Sequence, residues 1–563
     1  MACATTLISL MKTRMQPDYQ HLKFPYQRPA DFDQEPPAHL PVVIVGAGPV
    51  GLAAAIDLAR HGVRVVVLDD GDSLSVGSRA LCYAKRTLEI LDRLGCGDAV
   101  VNKGVSWNIG KVFFRNEPLY SFNLLPEPDH HRPAFVNLQQ YYLEGYLYET
   151  AQRLPCLEIR WKNRVSNVSQ SSACAEITVT TPDGDYRLTA DYVIAADGAR
   201  SPVRAALGLE SKGRVFRDRF LIADVKMKAA FPTERWFWFD PPFHPNQSVL
   251  LHREADDVWR IDFQLGWDAD PEEEKKPENV IPRVRALLGE HVDFDLEWVS
   301  VYTFACMRME KFRHGRVLFA GDAAHGVSPF GARGANSGIQ DADNLCWKLA
   351  LVLRGEASDK LLDTYGEERE LAADENILNS TRSTDFITPK NHASRIFRDA
   401  VLSLAKEHPF ARRLVNSGRL SLPSTYGASS LNTPDAELFA SSMCPGSPAS
   451  DAPILIAAGK RDWFVQQLGE QFCVVLFTDQ YQAIQDLPNT RVWQVLPQAA
   501  LRSTTHERVI IDVDGLIAQR YDAKPGTTYL FRPDQHVAAR WRQFDQLAIQ
   551  SALSRACVSE QPV

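Results

Sequence analysis

Apolar and polar positions change rhythm along this chain, and the first change falls at Pro41 to Asp70. A β-branched run (PVVIV) enters a glycine-rich turn, an alanine-rich helix follows, and a second β-branched run (VRVVVL) ends in acid. The stretch predicts a βαβ unit. Next, Leu81, Leu88, Leu91 and Leu94 share one helical face and Gly95 suits the helix stop. Short strand-like runs occupy Val105 to Asn123. A helix carries Tyr142, Leu143, Tyr146, Leu147 and Leu154, with Gln140 on its first turn. Residues 157 to 195 read as strands, the last being a buried run, Tyr192 to Ala196. From Arg219 to Met309 the pattern turns antiparallel. There Trp259, Ile261, Phe263 and Leu265 form one face of a strand and Arg260, Asp262 and Gln264 the other. Such a sheet either meets water on its polar side or covers a site with it. A buried strand, Val317 to Ala320, then leads through a Pro-Gly loop to a helix starting near Gly334. Ile339, Ala342, Cys346, Leu349 and Leu353 recur on it at helical spacing, with Gly355 after its end.

At 563 residues the chain predicts two or three domains. Residues 1–40, with four prolines between 25 and 37, read as an extended, partly disordered arm; Met11 and Met15 are alternative starts to Met1. The Ser/Pro/Gly-rich stretch Pro423 to Pro453 reads as a linker, and DADPEEEKKPEN as a solvated loop. Beyond the linker, five short strands alternate with helical stretches, and a last helix runs from about Phe544 to Ala556.

The formal charge of −8 argues against a nucleic-acid or anionic-membrane surface. The most apolar stretch, Val42 to Ala59, is interrupted by glycines and Asp57 and is already accounted for by the βαβ unit, and the first fifteen residues lack a signal-peptide core. A cytoplasmic location is the expectation. The ten cysteines show no CxxC or paired spacing, so no zinc site or disulfide framework is expected. Asp129, His130 and His131 sit in a charged loop without further ligands at useful spacing, and no metal is assigned to them.

In the βαβ turn each glycine has a separate job. Gly46 permits the tight turn, Gly48 lets the backbone approach a pyrophosphate, and Gly51 lets helix and strand pack closely. The helix N-terminus presents N–H groups to phosphate, and Asp69, 23 residues after Gly46, can accept a ribose hydroxyl. An acid there would repel a 2′-phosphate, so the site should hold FAD or NAD. Asp197-Gly198 stands at the carboxyl end of a buried strand, where open α/β sheets place ligands, and the start of the helix near Gly334 is a second site for negative charge. Arg79 is either a cation on the cofactor or a surface arginine.

Three ordered motifs, GAGPVG, then DGARSPVR 151 residues after Gly46, then GDAAH with its Asp 276 residues after Gly46, resemble the single-component FAD-dependent aromatic hydroxylases. The likeness covers about Pro41 to Leu353, and the tail resembles the phenol hydroxylase and hydroxyphenylpropionate hydroxylase branch. It implies an α/β fold: a Rossmann-like FAD-binding domain over 41–400, discontinuous, with an antiparallel-sheet substrate domain inserted mainly at 105–135 and 205–310. A helical segment and linker (401–449) and a thioredoxin-like domain (450–563) follow, the latter without redox cysteines. By the same likeness Asp322 holds FAD, Arg79 and Gln140 contact it, and Asp197-Gly198 belongs to a motif linked with FAD and NAD(P)H. With Arg260, Gly321, Pro329, Gly334, Ala335 and Asn336 these complete the residues expected around the cofactor. The chain departs from many relatives at Asp69, Arg333 and Ala335, where they carry Glu, Gln and Met.

The implied reaction is reduction of FAD by NADH or NADPH, capture of O₂ as a flavin C4a-hydroperoxide and hydroxylation of a phenolic ring. His252, Asp262 and Tyr302 are the polar groups expected to favour the phenolate, against a purely structural role for His252 in the sheet. Arg333, just before the helix, is read either as a cation beside the reduced flavin or as an arginine that points to solvent or pairs with an acid. Expected partners are a small phenolic substrate and O₂, with no nucleic acid or membrane and a homodimer left open. The rival readings are another flavin-dependent oxidoreductase, such as a halogenase or an amine oxidase, and a catalytically silent flavin-binding regulator.

Overall fold

The computed structural model describes residues 19–558, apart from 78, 230, 416–420, 457–458, 485–486 and 503–505. The alternative starts Met1, Met11 and Met15 lie outside the described residues. From Tyr19 the arm packs on the main body: Phe24 stacks on Trp161 with ring centroids 4.2 Å apart, and Asp31 pairs with buried Arg160 at 2.9 Å.

A first sheet is built on the strand Ala38–Val45, which starts three residues earlier than the sequence pattern suggests. Its main path runs Arg313–His314, Val317–Phe319, Gly184–Ala195, Ala38–Val45, Val65–Leu68, Leu157–Arg160. All but the short first strand are mutually parallel. Parallel strands bury both faces, which is why Val42, Val43, Ile44 and Val65 to Leu68 read as unbroken apolar runs. The helices Pro49–Arg60 and Gly334–Leu353 pack together against this sheet.

A second, largely antiparallel sheet orders His325–Gly326, Asp295–Met309, Ser211–Lys226, Val258–Leu265, Ser248–Arg253, Arg235–Phe239, Ile109–Phe114 and Glu117–Asn123. Its apolar face, with Trp259, Ile261 and Phe263, is covered by Val280 and Val284 of the helix Pro277–Leu288. The stretch DADPEEEKKPEN, expected as a solvated loop, has no buried residue but is partly helical: it holds the short helix Pro271–Glu274 and the start of the helix Pro277–Leu288, where Pro at the first helical position and Val280 and Val284 at i, i+4 favour an amphipathic helix.

A third sheet has seven strands, ordered Lys460–Trp463, Pro453–Ile456, Val509–Asp512, Thr490–Pro497, Phe472–Phe477, Thr528–Phe531, Val537–Trp541, with the final helix at Gln546–Ala556. It is joined to the rest by buried charge. Arg532 Nη1 and Nη2 donate to Glu368 at 2.5 and 2.9 Å, Lys348 Nζ reaches the same carboxylate at 2.8 Å, and Arg86 bridges Asp343 (3.0 Å) and Gln535 (2.6 Å). The charged loop at Asp129 to His131 belongs to this junction: His131 stacks on Trp463 and its backbone N–H donates to Asp451 at 3.0 Å. Leu81 also departs from expectation. It precedes a short strand, Cys82–Ala84, and the helix starts only at Lys85.

Candidate functional site

Adjacent parallel strands end in register: Val45 pairs with Ala195 and Leu68, and Ala195 with Phe319. The loops that leave them therefore share one carboxyl edge, bringing Gly46, Asp69, Asp197 and Gly321 together from 276 residues of sequence. Gly46 has φ +103°, and a Cβ there would stand 2.5 Å from Ala196 O; a Cβ on Gly51 would stand 1.9 Å from Gly46 O. Only glycine permits that approach of helix to strand. Gly48 and Gly198, by contrast, open onto the cleft, where a Cβ would meet nothing. Gly48 also caps the helix Pro49–Arg60 without a side-chain bond, leaving its first N–H groups facing the same cleft.

Asp69 is tied more closely than its spacing suggests. Its Oδ2 accepts from Ala47 N–H at 2.6 Å and its Oδ1 from Gly71 N–H at 2.8 Å, so it also holds the glycine turn in shape. Burial raises its carboxyl pKa, against those two donors. Asp197 accepts from Ser201 Oγ (2.8 Å) and Val203 N–H (3.0 Å) through one oxygen, while the other is buried without a hydrogen-bond partner among the described residues. Gln140 accepts from Ala80 N–H at 2.9 Å and donates to Ser75 and Glu144, fixing the loop that carries Arg79. Arg79 is exposed but close enough to Asp322 to act on its charge. Asp322 is open to the cleft yet ringed by protein; desolvation raises its carboxyl pKa, and His325 and Arg79 oppose that rise.

Asn336, in the first turn of the helix Gly334–Leu353, accepts from Ala84 N–H at 2.8 Å and donates to Cys82 O at 2.8 Å. These bonds hold the helix N-terminus against the strand Cys82–Ala84. No side chain caps that helix, so the first-turn N–H groups near Gly334 and Ala335 keep their outward orientation, with Pro329 exposed at the start of the preceding loop. Arg333 is buried, and its Nη1 donates to Phe330 O at 2.8 Å. It therefore does not lie on the surface.

The register places His252, Arg260, Asp262, Asp224 and Tyr302 on one face of the second sheet. Phe220 of that face meets Phe330 edge to face at 4.9 Å, so the face lies over the loop that leads into the helix Gly334–Leu353. His252 Nε2 is 3.7 Å from Asp262 Oδ2 and its Nδ1 is 3.8 Å from Cys82 Sγ. Burial pushes the His252 imidazole down to about 4 and holds the Tyr302 phenol well above its ordinary value. Arg260, expected around the cofactor, stands in this face beside His252. Its guanidinium binds Asp224 through two 2.7 Å bonds and lies 3.2 Å from Glu254, whose carboxyl pKa burial raises well above its ordinary value.

Residues 39–380 match the family described as FAD binding domain. The chain belongs to this family. Within it, the chain is 27% identical over 529 residues to a 3-(3-hydroxy-phenyl)propionate/3-hydroxycinnamic acid hydroxylase of Mycolicibacterium smegmatis, spanning 89% of this chain and 90% of the relative. It is 30% identical over 381 residues to a para-nitrophenol 4-monooxygenase of a Pseudomonas species, spanning 65% and 91%. In structure it superposes on the flavin-dependent monooxygenase PieE, solved with FAD and substrate, with a TM-score of 0.75 at 21% identity over 92% of this chain and 97% of that one. The mixed α/β fold is the one those monooxygenases share.

The residues at the carboxyl edge fit FAD. A βαβ turn whose helix N-terminus has no side-chain cap suits a pyrophosphate, Asp69 keeps lone pairs for a ribose, and Asp197 presents a buried oxygen without a hydrogen-bond partner among the described residues. Sequence reasoning missed Glu144, which accepts from Ser75 N–H and Oγ at 2.6 Å each, and Asp341, which holds the GDAAH turn. The signal for Asp341 was present: an acid flanked by Ile339 and Ala342 on a buried helix face needs a partner.

Proposed function

We propose that this flavoprotein monooxygenase hydroxylates a phenolic ring, using O₂ and either NADH or NADPH. When bound, FAD supplies the redox chemistry that activates oxygen and transfers one atom to the ring. This chain's residues would hold the cofactor, exclude water and manage the substrate's proton. In this reading Gly46, Gly48, Gly51, Asp69, Arg79, Gln140, Asp197, Gly198, Gly321 and Asp322 hold FAD along the carboxyl edge. Pro329 and Gly334 shape the approach, and the N–H groups at Ala335 and Asn336 favour negative charge beside the helix N-terminus.

The observation that carries the proposal is the meeting of two surfaces. The loop 329–333 and the helix N-terminus from the FAD-binding part face a buried sheet face bearing His252, Asp262 and Tyr302. A neutral His252 can accept a hydrogen bond from the phenol hydroxyl, with Asp262 3.7 Å from its Nε2 on the same face. Phenolate is the more nucleophilic ring, so proton removal is what the protein must supply before oxygen transfer. The relatives named for hydroxyphenylpropionate and nitrophenol support a phenolic substrate.

The domain reading belongs to the same proposal. The second sheet serves as the substrate layer, inserted mainly at 105–135 and 205–310 of a discontinuous FAD domain, and residues 450–563 form a thioredoxin-like unit without dithiol chemistry. The test is direct. Protein reconstituted with FAD should consume NAD(P)H and O₂ faster when a phenol is added, and release a product heavier by one oxygen. Binding of FAD with no aromatic-stimulated turnover across phenols, phenolic acids and nitrophenols would leave a flavin-binding regulator instead.

A further inference from the structure

Tyr426 stands in the stretch expected as a linker, yet it is only 2% exposed and is held from two directions. Towards the third sheet its ring lies against the His536 ring, with centroids 4.8 Å apart, and the Arg532 guanidinium stands 5.8 Å from the ring centre. Both partners belong to the turn between the last two strands of that sheet, Thr528–Phe531 and Val537–Trp541. The tyrosine backbone is fixed as well: its N–H donates to Gly446 O at 2.9 Å, and Asn432 Nδ2 donates to its carbonyl at 2.7 Å. Towards the helix Asp363–Ile387 the phenol oxygen accepts from Arg369 Nη1 at 2.6 Å.

Arg369 carries that contact towards the carboxyl edge. Its Nε donates to Asp341 Oδ1 at 2.6 Å, and its Nη2 donates to Ser337 O at 3.1 Å and to Ser337 Oγ at 2.9 Å. Asp341 accepts the Gly321 N–H through its other oxygen and so shapes the turn that presents Asp322, while Ser337 lies in the first turn of the helix Gly334–Leu353. A guanidinium is planar and rigid, so the acceptor on one edge sets where the other edges point. Among the described residues the acceptor of Nη1 is the Tyr426 hydroxyl, and Arg369 is buried. Without that oxygen the guanidinium must tilt to regain an acceptor, and Asp341 and Ser337 must follow it.

We infer that Tyr426 is a positioning residue for the cofactor: it seats Arg369, and Arg369 sets both the turn at Asp322 and the helix N-terminus at Ala335 and Asn336. The third sheet takes part in flavin binding by this route, through a tyrosine braced on its last turn. The inference rests on the reading of the carboxyl edge as the FAD site, and it goes beyond that reading by giving the third sheet a task there that neither its motifs nor its cysteines suggest. Packing alone would make Tyr426 a stabilising residue. What assigns it to the cofactor is that the single guanidinium it holds has its remaining acceptors on both elements that face the cleft.

The experiment measures the FAD dissociation constant of the full-length protein. Tyr426→Phe keeps the ring against His536 and removes only the oxygen. Well below the melting temperature nearly every molecule is folded, so a loss of stability by itself leaves the dissociation constant unchanged. Tyr426→Phe should bind FAD about fivefold or more weakly than the wild type. Asp341→Asn supplies the second arm of a double-mutant cycle, and Ser337→Ala, a milder change at the same guanidinium, supplies it again: in either background the further change Tyr426→Phe should weaken FAD binding by less than it does in the wild type. An unchanged dissociation constant in Tyr426→Phe, whatever its melting temperature, overturns the assignment, and so does an effect that keeps its full size in both backgrounds. Failure of the wild-type protein to take up FAD overturns the reading of the carboxyl edge instead.

Discussion

His325 Nε2 donates to Asp341 Oδ2 at 2.7 Å, and the same oxygen accepts the Gly321 N–H at 2.9 Å. One carboxylate on the long helix thus holds both ends of the GDAAH turn that presents Asp322. Its other oxygen accepts from Arg369 Nε at 2.6 Å, so the carboxylate is buried but fully paired. Burial would raise its pKa, and the charges of His325 and Arg369 outweigh that and lower it.

Asp341→Ala should cost about 3–5 kcal/mol, because it leaves Arg369 buried without its carboxylate and frees the turn. Flavin should be lost together with stability, which urea unfolding and flavin release would measure. A depressed carboxylate pKa contributes stability above its unfolded value that is lost as pH falls through the folded one, so the variant should lose part of the acid-side dependence of the wild type. Full flavin retention at wild-type stability would refute the role.

Arg333→Ala should lower the flavin reduction potential and slow reduction by NAD(P)H, by about tenfold for each ~1.4 kcal/mol of lost charge stabilisation. The residue is buried at the start of the helix Gly334–Leu353, and FAD affinity should change little because the carboxyl-edge contacts are elsewhere. Stopped-flow reduction with a dye-equilibrated redox titration reads both. An unchanged potential at the wild-type rate would reduce Arg333 to a structural role in its loop.

His252 binds its proton more weakly in the folded protein, at about 4, than at its ordinary 6.5. The unfolded chain therefore takes up protons first as pH falls, and stability drops progressively from about pH 6.5 to about 4, by about 3 kcal/mol for this group. His252→Gln should flatten that limb in unfolding titrations and lower turnover at neutral pH. An unaltered limb would show that the imidazole is not buried as described.

Arg532→Met should leave Glu368 and Lys348 buried with a broken network and cost about 3–5 kcal/mol. Because this pair joins the third sheet to the long helices, calorimetry should show the loss in the transition of the whole chain. A separate, early transition of residues beyond 450 with the rest unaffected would argue against a shared core.

Cys473→Ser with Cys557→Ser should leave turnover unchanged. Burial pushes each thiol up to about 11, so neither is a nucleophile near neutral pH. Loss of activity at intact stability would reveal chemistry in the third sheet.

Local rules made much of this protein legible from its residues. A glycine turn between β-branched runs has few alternatives, since Gly46 and Gly51 answer contacts within one βαβ unit, and the helix after Arg333 follows from its own apolar period. What only the tertiary structure decided are pairings across long sequence separations. Arg260 found Asp224, 36 residues away, because two strands put them side by side in the dry interior of a sheet. The Asp129–His131 loop became a junction with Trp463 and Asp451, since a charged loop is solvated only if nothing folds back on it. Cys82 met His252 across 170 residues and Arg235 across 153, and no periodicity encodes that encounter. Periodicity reports which face of an element is buried; the identity of the partner on that face is fixed only when distant elements pack and each buried polar group must find its match.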